Sequence, residues 1–256
     1  MRVVRIIHNK IISWARLDRN RLLLFDKEPW LGANLTGEII TFEEKNIMAP
    51  CIPGKIIGVA VNYPGITGLN SDIDEPLVFL KSMNTIIGPN SSIINPFNES
   101  SIWGECELAV VIGKTLNKAS AEEAKTAIFG YTIANDVTVE NTGGRDHHLA
   151  RSKAADTLCP VGPWIDTEFQ PKEHEIEGWH NNTLLRQGKL SDRLYREPEL
   201  LVWLSSWIRL EPGDLVLTGA PARVRDRIYL EEGDTFTCRI EGLGELKNIC
   251  RTRKRS

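Results

Sequence analysis

The chain has 256 residues, 41% of them hydrophobic and 25% charged, with a formal net charge of -3. That is enough for one large domain, or one domain with a small appendage, around a sizeable core. A slight acidic excess gives no general attraction to nucleic acid or anionic lipid, and no apolar run is long enough to span a bilayer, so neither kind of partner is expected.

From the beginning, short apolar runs (Val3 to Ile7, Ile11 to Trp14, Leu22 to Phe25, Glu38 to Thr41) alternate with polar turns such as His8-Asn9-Lys10 and Asp18-Arg19-Asn20. This spacing predicts hairpins in a small antiparallel unit. Arg2, Arg5, His8 and Lys10 interrupt the first apolar residues, so no signal peptide is expected. Ala49-Pro50-Cys51-Ile52-Pro53-Gly54 resists regular structure and reads as a linker. Residues 1–53 are accordingly assigned to a small N-terminal β domain and linker, and 54–256 to a larger domain. Five cysteines, odd in number and without Cys-x-x-Cys spacing, favour neither a disulfide framework nor a zinc site. A reducing, cytoplasmic location is expected.

In the larger domain, Gly104-Glu105-Cys106-Glu107 leads into Leu108-Ala109-Val110-Val111-Ile112-Gly113, whose β-branched residues predict a strand. Alternate side chains of a strand share a face, so Glu105 and Glu107 point the same way, about 7 Å apart at Cα. Cys106 then faces the opposite side, as a small buried hydrophobe. A second strand, Tyr131 to Asn135, ends in Asp136 and can bring in a third carboxylate. Three hard oxygen donors suit Mg²⁺, Mn²⁺ or Ca²⁺ better than Zn²⁺. A lone Glu-x-Glu is, however, more often the wet face of an ordinary strand. Between the two strands, Ser120-Ala121-Glu122-Glu123 has capping-box spacing and predicts a helix that Gly130 stops. A second helix is predicted from Pro198 to Trp207, with Leu200, Leu201, Leu204 and Trp207 as core residues.

Six ordered blocks carry a family resemblance: Gly58 to Tyr63, Pro76 to Lys81, Glu105 to Lys114, Gly130 to Thr138, Ser152 to Trp164 and Leu210 to Gly219. In this order, over about Pro53 to Cys250, they resemble the fumarylacetoacetate hydrolase family, in particular its 2-hydroxyhepta-2,4-diene-1,7-dioate isomerase and acylpyruvate hydrolase-like members. The resemblance implies an α+β, β-rich fold, a mixed β-roll core, and a homodimer. It also implies Glu105, Glu107 and Asp136 as ligands of Mg²⁺ or Mn²⁺, with Lys153 as a catalytic residue beside the metal. Tyr63, Lys81, Glu140, Arg151, Thr218 and Gly219 are the candidate substrate-binding residues. The family includes hydrolases, decarboxylases, tautomerases and isomerases, so the reaction must be argued from the site.

The chain departs from the family pattern at informative places. Members that break carbon-carbon bonds carry a lid His and Glu, where this chain has Ile66 and Leu69. Neither can accept a proton. Asp72, Asp74 and Glu75 are the acidic candidates left in that segment. Glu140 stands where an Arg is common, and Ala220 where a Thr is common. Either a substrate carboxylate is not clamped at Glu140, or Arg145, Arg151 or Arg223 supplies the cation. His147 and His148, between Asp136 and Lys153, are candidate replacement acids or bases, although loop histidines are more often solvated.

These features predict a metal-dependent enzyme that enolises a small oxo acid or β-dicarbonyl compound. Isomerisation, tautomerisation and decarboxylation need no activated water, so loss of the lid pair favours them over carbon-carbon hydrolysis. A catalytically inactive metal-binding scaffold is the alternative from another class.

Overall fold

The computed structural model describes residues 1–66, 74–97 and 100–252. Leu69 and Asp72 lie outside them. The N-terminal runs form an antiparallel meander, β1 (Arg2–His8), β2 (Ile11–Asp18), β3 (Arg21–Phe25) and β4 (Leu35–Thr41). β1 also pairs with strand Cys159–Asp166, so the meander continues a twelve-stranded sheet instead of standing apart. From β1 the sheet runs through Cys159–Asp166, Ile128–Asn135, Cys106–Ile112, Leu215–Leu217 and Ile56–Ala60 to Leu77–Lys81. It is mixed: Leu215–Leu217 pairs parallel to Ile56–Ala60 and antiparallel to Cys106–Ile112. A five-stranded sheet, in the order Thr183–Lys189, Glu175–His180, Thr235–Ile240, Gly244–Thr252, Ser92–Asn95, packs against it.

Strand Cys106–Ile112 is buried along its whole length. Its Cys106, Leu108, Val110 and Ile112 join Ile176, Phe236, Cys238 and Leu246 of the second sheet in the main core. Ala109 and Val111 point the other way, into a second cluster with Ile56, Cys159 and Val161. A strand covered on both faces reads as a continuous apolar run, which makes a glutamate within it conspicuous.

α1 spans Ala121–Thr126, and the Ser120–Glu123 capping box is formed. It ends earlier than the sequence predicts. Gly130 is no helix stop; it lies in strand Ile128–Asn135, where a Cβ would sit 2.7 Å from the carbonyl oxygen of Asp166. Glycine there permits close strand approach. α2 spans Ala150–Lys153, and α3, Glu199–Ser205, buries Leu200, Leu201 and Leu204. Trp207 departs from its expected core role: it is 53% exposed, past the end of α3, with its ring edge-on to Trp203. All five cysteines are free and buried. Among the described residues no helix is long and apolar enough to cross a membrane.

Candidate active site

Antiparallel register builds the site. Cys106 pairs with Asn135 and Glu107 with Ala134, so the next step beyond the ladder sets Glu105 against Asp136. The Asp136 N–H donates to the Glu105 carbonyl at 2.9 Å, and the Glu105 N–H donates to Asn135 Oδ1 at 2.9 Å. Glu105, Glu107, Asp136 and Lys153 line one cleft of about 990 Å³.

Each carboxylate is held differently. Glu107 is 2% exposed and accepts the Gly219 N–H at 2.6 Å. Burial, with Asp136 and Glu105 nearby, pushes its carboxyl well above the usual range, against the opposing pull of Lys153 and the Gly219 N–H. For Asp136, burial works toward the neutral form but Lys153 and Lys81 outweigh it and hold its carboxyl below the usual range. Lys81 Nζ donates to Asp136 Oδ1 at 2.6 Å, and Lys153 Nζ to Asp136 Oδ2 and to Thr138 Oγ1. Burial opposes the Lys153 ammonium, but Asp136 and Glu105 prevail and raise its pKa. Arg186 pairs with Glu105 and also donates to the Pro221 carbonyl at 2.6 Å.

Among the described residues no three potential metal ligands already converge on one point. The donor set nonetheless fits a hard divalent cation: three carboxylates line one cleft, and one of them is driven toward its neutral form by burial and by the other two. Glu105, Glu107 and Asp136 are the residues that would hold it.

Most of the expected substrate-contact residues lie away from the cleft lining. Lys81, Tyr63, Thr218 and Gly219 are buried behind the cleft wall and do not line it. Lys81 and Gly219 instead fix Asp136 and Glu107, and the Thr218 hydroxyl donates to the Leu108 carbonyl at 2.9 Å. The Tyr63 hydroxyl is buried without a partner among the described residues. Gly219, at φ 89°, lies so close to Asn62 that a Cβ would sit 2.8 Å from the Asn62 Cβ, so this backbone position suits glycine alone. Glu140 and Arg151 line a separate small cleft, and Arg151 stacks over Phe97. His147 and His148 are exposed and absent from the lining, as befits a Gly-rich loop that leaves side chains to solvent. Asp74 and Glu75 do not line it either. Of the three arginines considered as replacement cations, only Arg223 reaches the cleft.

Sequence reasoning missed Arg186, Arg225 and Arg227, all in the lining. The alternation Arg223-Val224-Arg225-Asp226-Arg227 just after the Thr218-Gly219 block was the available signal. Arg186, far away on the second sheet, had none. Ile66, standing at the lid His position, packs on the core and lines the cleft with Phe79, the ring that Lys153 Nζ overlies at 4.4 Å.

Lys81 and Asp136 form a nearly solvent-free pair, exposed by 0% and 1% respectively. Lys81→Met should therefore destabilise the fold by up to about 3–5 kcal/mol, because Asp136 keeps Lys153 but loses one of its two buried cationic partners. Urea denaturation measures it; unchanged stability would mean that Lys153 alone compensates Asp136.

Comparison with known proteins shows the family. The family model "Fumarylacetoacetate (FAA) hydrolase C-terminal" matches residues 55–251. The chain belongs to the fumarylacetoacetate hydrolase family. A second model, "Rv2993c-like, N-terminal", matches residues 1–50. The solved structure of 2-hydroxyhepta-2,4-diene-1,7-dioate isomerase from Mycobacterium marinum superposes with a TM-score of 0.88 at 32% identity, covering 100% of both chains. The 2,4-didehydro-3-deoxy-L-rhamnonate hydrolase of Sphingomonas sp. strain SKA58 is 34% identical over 75% of this chain and 71% of its own. Oxaloacetate tautomerase FAHD2B, mitochondrial, of Bos taurus is 32% identical over 82% of this chain and 71% of its own. These family members are enzymes of hydrolase, isomerase and tautomerase type.

Proposed function

We propose that this family member is a divalent-metal-dependent enzyme that enolises a small 2-oxo acid or β-dicarbonyl compound, as a tautomerase, isomerase or decarboxylase. The observation that carries this reading is the cleft lining: it sets a buried lysine beside three carboxylates and, among the described residues, contains no imidazole to prime a water. A bound Mg²⁺ or Mn²⁺, with Ca²⁺ as a further candidate, would polarise a substrate carbonyl as a Lewis acid. Lys153 supplies the protein's own share. Its ammonium, held by Asp136 and Thr138, is a preorganised donor for an oxygen that gains negative charge. Arg186, paired with Glu105, faces the same space and would orient a carboxylate. Ile66 and Phe79 present apolar surface there, which limits water without activating it. Likeness to the oxaloacetate tautomerase and the dioate isomerase supports the reading, since both reactions move a proton next to a carbonyl.

The test is to incubate the metal-loaded protein with oxaloacetate and with acylpyruvates, following enol absorbance, carbon dioxide and cleavage products separately. Enol–keto conversion or carbon dioxide without cleavage into two acids is expected. Efficient acylpyruvate hydrolysis would overturn the ordering and place the chain beside its hydrolase relatives.

A further inference from the structure

Arg223, Arg225 and Arg227 line the cleft together with Arg186. Arg186 is already paired with Glu105, but among the described residues no carboxylate pairs with the other three. Their segment is tied to the second sheet: Arg223 bridges Arg186, and the Val224 N–H donates to the Leu185 carbonyl at 2.9 Å. The Arg227 guanidinium carbon sits over Trp103, 3.8 Å from the ring centroid, and its Nε is buried with no hydrogen-bond partner among the described residues. A buried guanidinium N–H without an acceptor is costly unless a ligand satisfies it. Burial first, then the nearby charges of Arg227 and Arg186, lowers the Arg223 pKa, and Glu105 and Asp226 offset this only in part.

The charge balance says what kind of anion fits. The described lining carries five cationic side chains, Lys153, Arg186, Arg223, Arg225 and Arg227, against four acidic ones, Glu105, Glu107, Asp136 and Asp226. One divalent cation on the carboxylates raises the surplus to about three positive charges. A 2-oxo acid brings one negative charge in its carboxylate. A phosphoryl or phosphonyl group brings close to two more at neutral pH, with three acceptor oxygens for forked guanidinium donors, whereas a second carboxylate brings only one.

We propose that the arginine wall is an anion subsite for a doubly charged, phosphate-like group at the end of the substrate remote from the enolised carbonyl. The placement on a substrate rests on the enolising function proposed above; the anion subsite itself rests only on the arginines.

Calorimetric titration of the full-length protein with inorganic phosphate and with acetate tests it, both without added metal. Phosphate should bind at least about tenfold more tightly than acetate, and Arg223→Gln/Arg227→Gln should lose at least about tenfold in phosphate affinity. Oxalate, titrated with Mg²⁺ as a mimic of the reacting end, should bind the double variant nearly as well as the parent. Should the double variant misfold, Arg225→Gln, at an exposed member of the array, gives the same readout. Equal affinity for phosphate and acetate, or full phosphate affinity in the variants, would overturn the subsite. If phosphate binds as expected while no oxo acid is enolised, the subsite stands and the enolising function falls.

Discussion

Replacing Glu107 by Gln should weaken Mn²⁺ binding by at least about 100-fold, the upper end of what losing even an outer partner of a metal ligand costs, and abolish metal-dependent turnover. The amide keeps the shape of the side chain and an oxygen for the Gly219 N–H, so the fold has no reason to fail. What disappears is one of three charges gathered on the cleft wall, on the residue most crowded by the other two. The same loss relieves repulsion in the metal-free protein, so thermal stability without metal should hold or rise while affinity falls. Calorimetric titration with Mn²⁺ and a melting curve, run on the same preparation, read the two directions separately. Unchanged Mn²⁺ affinity would remove Glu107 from the ligand set.

Lys153→Met should lower kcat by about 10²–10³, the usual effect of removing one donor aimed at a developing oxyanion, with a smaller change in KM. Asp136 would keep Lys81 as a partner, and Lys153 borders the cleft, so water can reach the vacated side. The stability loss should therefore be smaller than for Lys81→Met. This contrast separates the two lysines on Asp136: one borders the cleft, the other is buried behind its wall. Equal activity in variant and parent would leave Lys153 a purely structural role.

The sequence made the carboxylate set legible because two simple rules locate it. Strand alternation puts Glu105 and Glu107 on one face, and antiparallel pairing brings Asp136 to Glu105. The N-terminal meander was legible for the same reason, as polar turns separate its apolar runs at strand spacing. What stands one layer behind a wall is harder to read. Lys81 and Gly219 sit within matching blocks, yet their partners are Asp136 and Glu107, and only the folded chain distinguishes a group that lines the cleft from one that braces a carboxylate from behind. His147 and His148 have suitable chemistry in an exposed loop, which no pattern along the chain could locate relative to the cleft. Gly130 was read as a helix stop because local signals report conformation, whereas its role is the close approach of Asp166 from another strand. Arg186 was missed because its partner, Glu105, is 81 residues away on the other sheet.

Solvent deuterium exchange at the carbon beside the carbonyl is the most direct measurement of enolisation, because it registers proton removal whether or not a product accumulates. A panel of 2-oxo acids and β-dicarbonyls in deuterium oxide, with Mg²⁺ or Mn²⁺, can be followed by proton NMR. The account predicts metal-dependent, Lys153-dependent loss of the α-proton signal for at least one of them, without cleavage into two acids. Cleavage with no exchange beyond the buffer rate, at turnover typical of enzymes, would contradict it.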